Sequence, residues 1–267
     1  MTKTSIRSSH RSKRARRGLA QHLATIGTIM LTAWAASAIA QEQPTTLEQM
    51  PAELEKRFAL SALPPQLREE ATIYLLDPEK GYELAIEGTS GVTCIVQRTV
   101  WEMADFRDDI YIPLCYDAAG TSTYLHVIME AARIRAEGMG PQELKSTIAR
   151  RWEDGTYQVP ERAGMSYMVA PVQRTIGPPD LEVITLSLPH FMPYAPGVSN
   201  QDIGAHPDLA DPASLQNPFI ERQGIDEQSY FIHMVGVDEK ADILNRETDL
   251  VKDLCAYRDV LCLADAD

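Results

Sequence analysis

The sequence predicts an α+β fold, with a largely antiparallel sheet, a helical hairpin and a Pro-rich loop region. Three observations lead there. Short β-rich segments divided by turn residues run from Thr72 to Tyr116. Two amphipathic segments then follow back to back over residues 121–154. Beyond them, nine prolines from Pro171 to Pro218 exclude a long helix, while apolar β-type runs recur.

The elements follow in order. Residues 41–50 are polar. Pro51 suits a first helical turn, and Leu54, Phe58 and Ala62 continue at helical spacing until Pro64-Pro65 stops them. A helical turn is expected over Gln66 to Glu70. Thr72 to Leu76 and Tyr82 to Ile86 read as a hairpin around Asp77-Pro78-Glu79-Lys80-Gly81. Gly88-Thr89-Ser90-Gly91 makes a second turn, and Val92 to Val100 reads as a third strand, completing an antiparallel meander. Val92 stands where a nucleophile elbow needs its last glycine, so Ser90 is read as a turn residue. Trp101 to Asp109 is an irregular acidic connection, and Ile110 to Tyr116 is a short strand interrupted by Pro113.

Asp117-Ala118-Ala119-Gly120 reads as a turn. Tyr124, Val127, Ile128, Ala131 and Ile134 then keep a helical rhythm, with Thr121 or Ser122 as cap. Pro141 opens a second helix carrying Leu144, Ile148 and Trp152, which Gly155 stops. Arg133, Arg135, Arg150 and Arg151 are expected on solvated helix faces paired with Glu. Met165 to Ala170, Glu182 to Leu188 and Ser229 to Val237 read as strands, and Glu239 to Leu254 as a helix. Met165, Met168, Met192 and Met234 are read as core fillers rather than soft metal ligands. His126 falls at a helix boundary or surface. Alternation puts His233 on the face of Phe231 and Val235, half-buried.

The first forty residues have a different character. Seven Lys and Arg precede Gly18, with no acidic residue, and the stretch from Gly18 to Gln41 is uncharged and closes on Ala38-Ile39-Ala40. A basic head, an apolar middle and a small-x-small exit define a cleavable export signal, cut after Ala40. The middle is long enough for a span. However, Gln21, His22, three Thr and many Ala keep its hydrophobicity low, which favours cleavage and leaves no permanent membrane span. Arg16-Arg17-Gly18-Leu19 resembles a twin-arginine signal, although Ala15 stands where Ser or Thr is usual and Leu19 replaces Phe.

The domain plan is therefore an export signal over 1–40, a polar segment with a short helix over 41–63, a single α+β domain over 64–254 and a tail over 255–267. After cleavage 227 of 267 residues remain. The 25 basic residues lose the seven of the head, leaving 18 against 38 acidic ones, a formal charge of −20. Such a surface excludes nucleic acid and anionic lipid as partners. A small molecule or an envelope protein is the expected partner, and no motif assigns a cofactor. The expected location is periplasmic or extracellular.

Cys94, Cys115, Cys255 and Cys262 all lie in the mature part, and an even count in an oxidising compartment predicts two disulfides. The local pairing is favoured: Cys94 with Cys115, and Cys255 with Cys262. The second pair needs a break in any helix between them. Seven helical steps separate Cα atoms by about 10 Å, beyond the roughly 7 Å that a bridge allows.

One stretch gathers groups that carry chemistry. His190, Asp202 and His206 fall within about twenty residues on an expected Pro-stiffened loop. They are the candidate catalytic set, with His190 a general base oriented by Asp202, or the three a divalent-metal site. Two functions follow. The first is a non-catalytic binding module of the envelope. The second is an exported hydrolase-like enzyme working at that loop.

Overall fold

The computed structural model describes residues 47–177, 182–208, 210–211 and 213–264. The export segment over 1–40 lies outside the described residues. What is described belongs to one unit within Glu42–Asp267.

An eight-stranded sheet is the frame. Its strands are β1 (Thr72–Asp77), β2 (Gly81–Ile86), β3 (Thr93–Gln97), β4 (Ile112–Tyr116), β5 (Met165–Met168), β8 (His190–Pro193), β9 (Phe219–Arg222) and β10 (Ser229–Met234). They lie in the order β2-β1-β3-β4-β5-β8-β10-β9. Every neighbour pair is antiparallel except β1 and β3. β6 (Gln173–Gly177) and β7 (Glu182–Leu186) form a separate antiparallel pair. The fold is thus α+β with a mostly antiparallel sheet.

Helices cover both faces of the sheet's centre. The α3 (Tyr124–Ala136) and α4 (Pro141–Glu153) hairpin packs on Ile95, Ile112, Leu114, Tyr116 and Met192. On the other face α1 (Ala52–Ser61) and α6 (Thr248–Tyr257) pack on Cys94, Val96 and Cys115. Alternation explains the division: along β3, Cys94 and Val96 point one way and Ile95 the other. Every residue of β3 and β4 is buried, the pattern of strands covered on two sides.

The expected meander is corrected here. β3 does not pair with β2; it passes beyond β1 and pairs with it in parallel, Thr72 opposite Thr93 and Ile73 opposite Cys94. Burial decides this. β2 is largely exposed, with Leu84 at 52%, and serves as an edge, whereas the wholly buried β3 needs a neighbour on each side. The loop that crosses over is fastened to the start of β1. The N–H groups of Thr89 and Ser90 donate to the Glu70 carbonyl, and Gly88 N–H donates to Thr72 Oγ1. Gly88 lies so close that a Cβ there would fall 2.2 Å from the Glu70 oxygen.

Both disulfides take the local pairing. Cys94 and Cys115 are direct partners across β3 and β4, with Cα atoms 4.1 Å apart. Cys255 joins Cys262 with Cα atoms 4.3 Å apart. The required helix break is present: α6 ends at Tyr257, and Arg258 is extended at φ −147°.

Other expectations shift. His190 to Pro193 is a strand inside the sheet rather than loop, because Met168 and Met234 flank His190 as ladder partners. β6 and β9 were not expected. The helix expected over Glu239–Leu254 is two helices, α5 (Val237–Arg246) and α6, divided at Glu247. Thr121 does not cap α3; it ends α2 (Ala118–Thr121), whose own cap is Asp117. Arg135 is buried rather than solvated, 4.4 Å over the Phe106 ring and donating to the carbonyls of Arg98 and Arg107. His233 is exposed rather than half-buried.

Candidate functional site

A cleft opens between the start of the helical hairpin and the chain that leaves it. Its volume is about 610 Å³. One wall is Ala118, Ala119, Ser122, Thr123 and His126; the other runs from Thr156 to Arg162.

The first wall is set by Asp117. Its Oδ1 accepts from Gly120 N–H at 2.9 Å, capping α2, and its Oδ2 accepts from Met165 N–H at 3.1 Å at the start of β5. The Tyr194 hydroxyl, just past β8, donates to Asp117 Oδ1 at 2.9 Å. One carboxylate thus ties three segments together. Burial, with Asp117 beside it, pushes the Tyr194 hydroxyl well above its ordinary pKa, so it stays a donor. The junction admits only glycine at two places. A Cβ on Gly120 would meet the Tyr194 hydroxyl at 2.0 Å, and one on Gly164 would meet Asp117 Oδ2 at 2.3 Å.

The second wall is set by the end of α4. Gly155 takes a positive φ of 77°, and Asp154 Oδ1 accepts from Thr156 N–H at 2.9 Å and from its hydroxyl at 2.6 Å. Those bonds hold the Asp154 carboxyl below its ordinary pKa. Tyr157 N–H then returns to the Arg151 carbonyl, which tucks the ring inside.

A polar chain backs the cleft. Arg151 donates to the Tyr157 hydroxyl at 2.9 Å and to Glu130. Glu130 also receives Arg133 at 3.3 Å and stands 3.7 Å from His126 Nε2. Burial works to raise the Glu130 carboxyl, but the two guanidinium groups outweigh it, and its pKa lies below the ordinary value. Glu130 is therefore an anion with three cationic or cationisable neighbours. His126 stands edge-on to Tyr157 with ring centroids 6.2 Å apart.

The lining hydroxyls are engaged: Ser122 Oγ donates to the Ala119 carbonyl, Thr123 Oγ1 to the same carbonyl at 2.7 Å, and Thr156 Oγ1 to Asp154 Oδ1 at 2.6 Å.

The residues singled out from the sequence lie elsewhere. His190 is 5% exposed in β8, its Nδ1 at 2.6 Å from the Leu188 carbonyl oxygen, and burial lowers its pKa. Asp202 is exposed and accepts from the N–H and hydroxyl of Ser199 at 2.8 and 2.7 Å, which lowers its pKa. His206 is exposed. Among the described residues no hydrogen bond or ion pair joins any two of these three, and none lines the cleft. No group of three His, Cys, Asp or Glu gathers for a metal among the described residues. All four cysteines are in disulfides.

Sequence reasoning missed the cleft. It placed His126 at a helix boundary or surface, and His126 is exposed, but it gave His126, Tyr157 and Arg162 no role. The available signal was the polar stretch with Pro160 and Gly164 between a helix stop and a strand. Compared with known families, curated proteins and solved structures, the chain matches none.

Proposed function

We propose that this is an exported, non-catalytic envelope protein that binds a small molecule in the cleft between α2–α3 and residues 156–162. The cleft itself carries the reading. At about 610 Å³ it falls within the 300–1,000 Å³ typical of small-ligand sites, and like them it mixes apolar walls with a few polar groups. Both walls are preorganised, one by Asp117 and one by Asp154, so little ordering cost falls on binding.

Two disulfides support an oxidising location, periplasmic or extracellular, with the signal removed after Ala40. No helix among the described residues is long and apolar enough to cross a membrane. The hydrolase alternative rests on His190, Asp202 and His206, and no contact among them supports it.

The test is a fragment screen followed by amide NMR on the purified protein. Binders are expected to shift Ala118, Ala119, His126 and Val159 together. A screen in which no binder moves these four amides overturns the cleft reading. Intact-mass analysis of envelope material is expected to show a chain starting at Gln41; a chain retaining Met1 overturns the export reading.

A further inference from the structure

The two disulfides differ in their surroundings. Cys94 and Cys115 are fully buried across β3 and β4, packed with residues of α1. Cys255 and Cys262 are half-buried near the carboxyl end of the chain. Exchange begins when a thiolate reaches one of the two sulfur atoms, so access separates the bonds.

The second disulfide also decides where α6 ends. Neither Gly nor Pro stands between Val237 and Asp267, so the usual helix stops are missing. Arg258 N–H still makes a helical bond to the Leu254 carbonyl at 3.0 Å, yet Arg258 itself is extended, at φ −147° and ψ 127°. The helical rhythm of the sequence continues past it. Leu250, Leu254, Tyr257 and Leu261 fall at steps of four, three and four, a single helical stripe. Arg258, Leu261, Leu263 and Ala264 are good helix formers. The local sequence thus favours helix through residue 264, and the bridge forbids it. Continuous helix would set the two Cα atoms about 10 Å apart; the bond holds them at 4.3 Å.

The interrupted chain makes a strap. Arg258 Nη1 donates to the Asp108 carbonyl and to the Tyr111 hydroxyl, each at 2.9 Å. The Thr185 hydroxyl of β7 donates to the Val260 carbonyl, and Leu261 is fully buried. The strap therefore fastens the loop of residues 98–109 and the β6–β7 pair to α6.

We propose that Cys255–Cys262 is a site of thiol–disulfide exchange with a dithiol, and that its redox state sets the length of α6. One thiolate of the dithiol attacks a sulfur of the pair; the S–S bond breaks, and the other sulfur leaves as a thiolate and takes a proton. The second thiol then resolves the mixed disulfide. The dithiol ends as a disulfide and the protein as two thiols, a transfer of two electrons and two protons. Residues 258–264 then continue α6, and the strap leaves Asp108, Tyr111 and Thr185. The oxidised reagent reverses the step. None of this depends on the cleft.

Dithiothreitol is the probe, applied under native conditions to the isotope-labelled protein, with iodoacetamide alkylation and mass mapping. Cys255 and Cys262 are expected to be alkylated while Cys94 and Cys115 are spared. Alkylation of Cys94 and Cys115 alongside them, or of no cysteine, overturns the exchange site. By NMR, the carbon shifts of Arg258 to Leu263 are expected to move to helical values, with amide changes at Asp108 and Thr185. The double variant Cys255→Ser, Cys262→Ser is expected to show the same helical shifts without reductant, with Cys94–Cys115 intact. Shifts that stay those of the oxidised chain in both samples show that the strap holds itself, and the switch is refuted. Random-coil shifts at these residues overturn the helix continuation.

Discussion

Glu55 is a buried carboxylate in α1, and replacing it by Gln tests how burial sets the pH response of this fold. It is 2% exposed, and its Oε1 accepts from Leu76 N–H at 2.9 Å, joining α1 to β1. Three effects compete. Burial raises its pKa; the Leu76 bond and the Arg98 charge lower it. Burial wins, and the value rises from 4.5 to about 7. The folded carboxyl therefore binds its proton more tightly than the unfolded one. Stability is fully present below about pH 4.5 and declines as pH rises towards 7, where the folded group ionises. Above that the loss levels off at about 3 kcal/mol, the linkage value of this displacement. Glu55→Gln keeps an acceptor for Leu76 and removes the charge. Urea unfolding at about pH 8 is expected to show the variant more stable than the parent by about 2–3 kcal/mol, and near pH 4.5 the two are expected to converge. If the variant is less stable by the same amount at both pH values, attraction to Arg98 outweighs desolvation and the reasoning is wrong.

Further outcomes follow from other contacts. Replacing both Cys94 and Cys115 by Ala opens a loop of sequence separation 21 and is expected to cost about 3 kcal/mol in urea unfolding; a loss below about 1 kcal/mol would mean that the ladder alone holds β3 against β4. Gly88→Ala brings a methyl group to the Glu70 carbonyl and is expected to destabilise by roughly 1–3 kcal/mol, with faster hydrogen exchange at Thr89 and Ser90. Unchanged exchange there would show that the crossing loop is not fastened as described. His206→Ala is expected to change stability by less than about 0.5 kcal/mol; a hydrolytic activity of the parent protein that this variant lacks would revive the loop as an active site.

Much of the local structure was readable in the chain. The helical hairpin was legible because Val127, Ile128, Ala131 and Ile134, then Leu144, Ile148 and Trp152, each bury one stripe at helical period. The β1–β2 hairpin was legible because Asp77 caps its own turn at Glu79 N–H and Gly81 supplies a φ of 97°. The break between Cys255 and Cys262 followed from bond geometry once that pairing was favoured. By contrast, β8 was hidden because the four residues His190–Pro193 between prolines resemble loop chemistry until the ladders of β5 and β10 enclose them. Arg135 resembled a surface residue in a helical rhythm. Only the folded loop of residues 98–109, which wraps it with carbonyls, makes a buried guanidinium affordable.

By itself the sequence determined the α+β class, the helices with strong periodicity and the acidic character of the chain, and it favoured the two short-range disulfides. These depend on neighbours within a few residues, or within one hairpin, where spacing and turn chemistry suffice. Tertiary structure alone decided the parallel step from β1 to β3, the two-faced cover of the central strands and the cleft at His126, Tyr157 and Arg162. Those features are made by groups far apart in the chain, such as Asp117, Met165 and Tyr194, whose meeting no local pattern encodes.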